Sequence, residues 1–375
     1  MSNVAEVMHW YLGQSETFIW QYLANFRQFT PIVLAPNLLN LDQFPLNHGQ
    51  IIPLYGPRGS WPWLIDNWYR RVVRRPQGYA EKIIRRKDIG LIHAHFAPMG
   101  FTYLPLSLDM DIPLITSFYG YDLSVEDFLR DHKGDYYELF SKGRVFLVEG
   151  PCMQARLASV GCPEEKIIIQ RIAINLANYK LLNRSWETSR PIRLLFVGRF
   201  VEKKGLEYAL RALTHLRDRY SFRLRIIGDG ELREELTSLA SHLGISAEIV
   251  WLGIQPHSTV IQELQLCDIL LQPSVTAVNG DSEGGAPTII LEAQACGLPV
   301  ISTTHADIPY VTCQNESALL SPERDLDSLT ENIRYLFENP EIWPKMGRAG
   351  RKHVENFHDV RKETVALENI YKTCL

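Results

Sequence analysis

Residues 192–213 read IRLLFVGRFVEKKGLEYALRAL, and the order of residue types in this stretch decides the fold. An apolar run ends at Val197, Gly198 turns the chain, and an amphipathic pattern begins near Lys204, so the stretch reads as strand, turn and helix. The rhythm repeats downstream in RLRIIG, EIVWLG, CDILLQP and LPVIST, each followed by a helical segment. Upstream, VAEVMHW, PIVLA, QIIPL, GLIHA, PLITSF and GRVFLVE read as strands, with helical patterns between most of them. Strands that alternate with helices build parallel sheets. The predicted fold class is therefore α/β, with two Rossmann-like, doubly wound domains in tandem. The polar, proline-flanked KLLNRSWETSRP, 180–191, separates the two rhythms as a linker. This puts an N-terminal domain over 1–180 and a C-terminal one over 190–355, with a helical 356–375 that crosses back onto the first. Ligands bind such sheets at the carboxyl ends of the strands, so the expected site is a cleft across which the two domains face each other.

Composition agrees with two domains, because 375 residues exceed what one hydrophobic core usually supports. Apolar residues at 46% and charged residues at 22% describe an ordinary globular protein. A net charge of -4 gives no global nucleic-acid signature. The six cysteines, Cys152, Cys162, Cys267, Cys296, Cys313 and Cys374, form no C-x-x-C pair and read as reduced, structural thiols. The N-terminus lacks a basic segment followed by an apolar one, and no run of about 18 apolar residues occurs. Membrane contact is expected to be peripheral.

Within the opening stretch, Arg199 and Lys204 flank a strand-to-helix turn. A guanidinium fork and an ammonium beside a helix N-terminus make an anion site with a preference for phosphate. The other reading is a basic loop solvated by water. RLRIIGDGELREEL, 223–236, supplies a second such turn, in which Gly228 and Gly230 permit close backbone approach; alone, G-x-G is more often a tight turn. The third is DSEGGAPTIILEAQACGLPVIST, 281–303, where a helix is predicted to start at Ala286 or Pro287. Gly284 and Gly285 would offer backbone N–H groups at its positive end. Glu283 falls in the loop and Glu292 in the helix. Carboxylates beside a phosphate site bind hydroxyl groups such as those of ribose or a sugar.

GRFVEKKG, GDG, CDILLQPS and EGGAPTIILEAQACGLPVIST, in this order, resemble the retaining glycosyltransferases of family 4, which have the GT-B fold of two Rossmann domains. The resemblance implies that Arg199 and Lys204 bind a donor diphosphate, that Glu292 binds the nucleotide ribose and that Glu283 lies by the donor sugar. One departure is in spacing: the family has seven residues between its glutamates, and here there are eight, Gly284 to Leu291. The extra residue falls in the Gly-Gly-Ala-Pro loop, so the helix fixes Glu292 while the loop alone places Glu283. In the first half, GLIHAHFAPMG ends a strand with His93 and His95; the family's H-x-H implies an active-site role for His95, and His93 reads as structural. ITSFYGYDLS resembles the family's F-H-G-x-D segment with Tyr119 replacing the His. YLGQSETFIW puts Gly13 and Ser15 before a helix, with Ser15 as a candidate N-cap, and resembles the loop that approaches the donor phosphate in the colanic acid, capsule and exopolysaccharide branch.

The expected activity is thus a retaining, metal-independent hexosyl transfer from a nucleoside diphosphate sugar to a hydroxyl of a lipid-linked glycan in cell-surface polysaccharide biosynthesis. No cofactor is expected beyond that donor substrate, and DMD at 109–111 lies away from any phosphate loop. The resemblance implies that the leaving phosphate oxygen takes the acceptor's proton, with His95 positioning the sugar. Two other readings stay open: a nucleotide-sugar 2-epimerase or hydrolase, and a catalytically silent subunit that binds nucleotide sugar or glycan. Residues 58–87 carry nine basic and two acidic residues interleaved with Trp61, Trp63 and Trp68. They read either as an element meeting the anionic inner face of the plasma membrane from the cytoplasm, or as a solvated helix over core aromatics.

Overall fold

The computed structural model describes residues 2–13, 16–54, 59–73, 79–187 and 189–375. The chain divides into two compact units, Met1–Ala173 with Val360–Leu375, and Ile174–Asp359. Each is built on a parallel sheet, as the alternation of strands and helices predicts.

In the first unit the strands are β1 (Ser2–Val7), β2 (Trp10–Tyr11), β3 (Phe29–Ala35), β4 (Asn37–Leu38), β5 (Gln50–Pro53), β6 (Ile89–His95), β7 (Leu114–Ser117), β8 (Val145–Val148) and β9 (Ile167–Ile169). Seven of them form one sheet in the order β5-β3-β1-β6-β7-β8-β9, and the short β2 and β4 pair separately. The strands read as continuous apolar runs because helices cover both faces. Alternate residues enter alternate cores: Ala5, Val7, Ile32 and Leu34 pack on one face, Val4, Val33, Leu91 and Ile115 on the other. Glu6, His93 and His95 share the parity of Val4 and Leu91, so they lie on this second face.

The helix Val360–Cys374 covers that same face with Leu367 and Tyr371. Glu368, fully buried, anchors it: Oε1 accepts the backbone N–H groups of Arg27, Gln28 and Phe29 at 2.7, 2.6 and 3.3 Å. A carboxylate taken out of water needs such charge-assisted donors.

The second unit contains β10 (Ile192–Val197), β11 (Phe222–Ile227), β12 (Ile249–Gly253), β13 (Ile269–Gln272), β14 (Val300–Thr303) and β15 (Ala318–Ser321) in the order β12-β11-β10-β13-β14-β15. Sequence patterning did not single out β9 or β15; III and ALLS are too short to separate from helix by period. The stretch read as a linker, 180–191, packs on this unit. Its buried Arg184 donates to the carbonyls of Leu264, Gln265 and Cys267 at 2.7 Å, which a solvated linker would not do. The cysteines are free thiols, four of them buried, and Cys152 is exposed.

Both sheets reverse strand order once, between β1 and β6 in the first unit and between β10 and β13 in the second. Such switch points open a crevice at the carboxyl ends of the flanking strands. Among the described residues, no helix is long and apolar enough to cross a membrane.

Candidate active site

At the switch point of the second unit, two chain segments meet through glycine. Gly205 has φ +67°, and a Cβ there would lie 1.8 Å from the Pro273 carbonyl oxygen, so the turn after β10 rests directly on the residue that follows β13. That contact brings Lys204 to the 281–285 loop. Lys204 Nζ donates to Glu283 Oε2 at 2.6 Å, and Ser274 Oγ donates to Glu283 Oε1 at 2.7 Å. Burial alone would raise the Glu283 carboxyl, but Lys204, then Lys203 and Ser274, hold it below the ordinary glutamate value. Lys203 is buried beside it, donating to Asp281 Oδ1 at 2.9 Å and to the Ser282 carbonyl at 2.8 Å. The Glu283 N–H donates to His305 Nε2 at 3.1 Å, and His305 Nδ1 in turn meets Glu323 Oε1 at 2.6 Å. Arg199 is exposed, and its side chain has no hydrogen bond or ion pair among the described residues.

The helix begins at Thr288, one or two residues later than predicted, with Pro287 as its N-cap. Pro287 has ψ 126°, which is extended backbone, so it flanks the helix instead of occupying its first turn. Gly284, at φ +77°, donates its N–H to Ser282 Oγ at 3.1 Å, and the Gly285 carbonyl accepts from Asp307 N at 3.0 Å. Ala286 and Pro287 are buried, and the Ile290 N–H donates to the Pro287 carbonyl at 3.0 Å, which leaves the N–H groups of Thr288 and Ile289 without an intrahelical acceptor. Gly228 and Gly230 are explained by protein contacts. A Cβ on Gly228 would come 1.9 Å from the Gly198 carbonyl oxygen, and one on Gly230 would come 2.7 Å from Phe200 backbone.

Glu292 belongs to a separate group. Its Oε1 lies 3.0 Å from His257 Nε2, and Tyr179 Oη lies 3.3 Å from the same nitrogen. Burial lowers the His257 pKa but Glu292 more than offsets it, for a net rise. Glu283 and Glu292, paired in the sequence reading, thus have different partners: a lysine for one, a histidine and a tyrosine for the other.

In the first unit, parallel register sets Glu6 beside His93 and His95 beside Ser117 at the β1–β6 switch point. His95 Nε2 lies 2.9 Å from Glu6 Oε2, and Nδ1 lies 2.8 Å from Tyr119 Oη. His93 Nδ1 meets Tyr371 Oη at 2.6 Å and Nε2 meets Ser117 Oγ at 2.7 Å, while Tyr371 Oη donates to Glu6 Oε1 at 2.9 Å. Burial would raise the Glu6 carboxyl, yet His93 and then His95 bring it down to about 2. By atom type, Glu6, His93 and His95 are a possible ligand set for a cation. The ligating atoms already bond to one another or to Tyr371, so hydrogen bonds account for the cluster. Gly13 lies in the turn before the helix Thr17–Leu23, its N–H donating to Glu16 Oε2 at 2.7 Å. Ser15 lies outside the described residues, and Glu16 holds the N-cap position.

Residues 182–353 match the family model of the group 1 glycosyl transferases. The chain is 31% identical over 281 residues to WcaL of Escherichia coli, a protein named as a colanic acid biosynthesis glycosyltransferase, across 73% of this chain and 68% of that one. It is 35% identical over 243 residues to the amylovoran biosynthesis glycosyltransferase AmsK of Erwinia amylovora, across 64% of this chain and 59% of that one. Among solved structures, HepE of Anabaena in complex with UDP-glucose aligns over 100% of both chains with a TM-score of 0.80 at 14% identity. At that identity the likeness is one of fold, and the fold is the GT-B fold of two parallel α/β units.

Proposed function

The chain belongs to the group 1 glycosyltransferases, and from that premise we propose that it transfers a sugar from a nucleoside diphosphate sugar to a hydroxyl of a glycan in cell-surface polysaccharide biosynthesis. The observation that carries this is the meeting of Lys204 with Glu283 in front of the helix Thr288–Ala295, at the switch point of the second unit, with Arg199 exposed on the same turn. A cation, a hydroxyl-binding carboxylate and a helix N-terminus in one crevice suit a diphosphate joined to a sugar. The colanic acid and amylovoran names of WcaL and AmsK support a polysaccharide product, and the ligand of HepE supports a nucleoside diphosphate sugar donor.

In the proposed step the bond between the anomeric carbon and the diphosphate oxygen breaks on the face where the acceptor oxygen attacks. The acceptor's proton passes to the departing diphosphate, and configuration is retained. Arg199, Lys204 and the helix N-terminus take up the charge that develops on the leaving group, which is the task a divalent metal would otherwise perform. Glu292 binds the ribose.

We propose further that the acceptor is lipid-linked and that the helix Trp61–Val73 meets an anionic membrane face. Trp61, Leu64, Trp68 and Val72 are exposed at helical spacing, so they form one apolar stripe, with Arg71 exposed beside it. Trp61 and Trp68 are therefore not core aromatics. Arg58, Arg74 and Arg75, also in the basic segment, lie outside the described residues.

The test is release of nucleoside diphosphate from UDP- and GDP-sugars in EDTA, with membrane glycolipid as acceptor, followed by NMR of the product's anomeric proton. A retained anomer formed in EDTA supports the mechanism. An inverted anomer, or turnover that depends on added metal, contradicts it.

A further inference from the structure

The sequence reading gives His95 the contact with substrate, but neither of its ring nitrogens is open to one. Nε2 faces the Glu6 carboxylate at 2.9 Å and Nδ1 faces the Tyr119 hydroxyl at 2.8 Å. We propose that Tyr119 is the residue that reads a sugar hydroxyl in the first unit, and that Glu6 and His95 are positioning residues acting through it. This rests on the glycosyltransferase reading and deepens it.

The direction of the hydrogen bonds follows from the partners. Glu6 is an ionised acceptor, so the His95 proton sits on Nε2 and points at it. Burial, and after it His93, lowers the His95 pKa, which keeps the ring neutral. A neutral ring with its proton on Nε2 has a bare Nδ1, which accepts the Tyr119 O–H. The Tyr119 oxygen then has its proton committed inward; the Ser117 hydroxyl faces one of its lone pairs, and the other is left for a group that donates. A sugar hydroxyl is such a group. This is the logic of a carboxylate–histidine–hydroxyl chain, used here to fix an acceptor and not to make a nucleophile.

Packing fixes the ring as firmly as the hydrogen bonds fix the oxygen. Tyr119 stacks on His95 at 5.9 Å and 12°, and meets Phe18 and Phe96 at 5.0 and 4.9 Å. Asp122 clamps the turn that carries it, accepting the N–H groups of Tyr119, Gly120 and Ala97 at 3.3, 3.1 and 3.0 Å. The pocket at these strand ends is lined mostly by apolar side chains, Phe18, Phe26 and Leu147 among them, together with Tyr119, Tyr22 and Gln170, of which Gln170 donates to Tyr22 Oη at 3.0 Å. The hydroxyl occupies the position where the resembling family has a histidine.

Tyr119→Phe removes the oxygen and keeps the ring, Glu6→Gln removes the charge that sets the tautomer, and Tyr119→His restores a polar ring. Two readouts apply. In long-range proton–nitrogen spectra of protein labelled with 15N-histidine, His95 is expected as the Nε2–H tautomer at pH 7, with its Nδ1 resonance moving in Tyr119→Phe. In nucleoside diphosphate release from UDP-glucose and GDP-mannose, Tyr119→Phe is expected to slow turnover about tenfold, with Tyr119→His recovering part of it. Affinity for UDP and GDP, which depends on the second unit, stays at the wild-type value in all three variants. An Nδ1–H tautomer, or Tyr119→Phe turning over at the wild-type rate, overturns the inference. Failure of wild type to bind any nucleotide would instead count against the glycosyltransferase reading, and the spectra would still decide the direction of the hydrogen-bond chain.

Discussion

Lys204 and Glu283 hold each other at 2.6 Å, with the lysine side chain 16% and the glutamate 5% exposed. Two side chains 79 positions apart are thus joined. Lys204 is a cation already neutralised by a carboxylate, so in the proposed donor site a diphosphate would share it with Glu283. The Arg199 side chain, exposed and without a partner among the described residues, would be open to the diphosphate without that competition.

This division predicts different outcomes for two alanine variants. Arg199→Ala should leave the unfolding midpoint within experimental error of wild type and weaken nucleoside diphosphate binding by roughly 1.5–3 kcal/mol. Lys204→Ala should weaken binding and also destabilise the fold by about 3 kcal/mol, because Glu283 stays buried without its main counter-charge. Urea denaturation with calorimetric titration of the same samples checks both. Equal stability of the two variants would contradict the pairing.

The His257–Glu292 pair predicts a pH dependence with a definite sign. The folded His257 pKa is raised, so its contribution to stability is fully present below the unfolded value of about 6.5 and is lost as pH rises through the folded value. The difference in melting temperature between wild type and Glu292→Gln should therefore be larger at pH 6 than at pH 9. A difference that does not change with pH would show that the two side chains do not share a proton.

Glu368 predicts that the C-terminal helix is integral to the first unit. Glu368→Ala leaves three backbone N–H groups without their acceptor and should cost roughly 3 kcal/mol or more. Hydrogen exchange should then rise in Arg27–Phe29 and in Val360–Cys374 together. Exchange confined to the helix would mean that the anchor contributes little.

For the membrane contact, flotation with vesicles containing anionic lipid should recover wild type and lose the Trp61→Ala/Trp68→Ala variant. Arg71→Glu should reduce binding about fivefold or more, at about 1 kcal/mol per basic residue. Equal recovery from neutral and anionic vesicles would rule out the electrostatic part.

Much of this was legible in the sequence, and what was not has physical reasons. The alternation that begins at Ile192 carried the two parallel sheets because each strand is apolar throughout and each helix has one apolar face. Lys204 and Glu283 were found because each stands at a turn beside glycine. Ser274, His257 and His305 were not, since a side chain on a neighbouring strand end or helix start meets its partner only after folding. Glu6 left a visible trace, a lone carboxylate inside VAEVMHW, but a strand read for its period passes over such a residue. The His95–Tyr119 contact depends on the parallel register of β6 with β7, which no local pattern encodes.

The most direct test of the central claim is a thermal-shift titration of wild type and Glu292→Ala with UDP, GDP, ADP and their sugar conjugates in EDTA. One nucleoside diphosphate and its sugar conjugate should stabilise wild type, by about 2.7 kcal/mol at 100 times the dissociation constant, with a clearly smaller shift in the variant. A wild-type protein that shifts with none of these ligands, or a variant that shifts as much as wild type, would contradict the assignment of the second unit as the donor site.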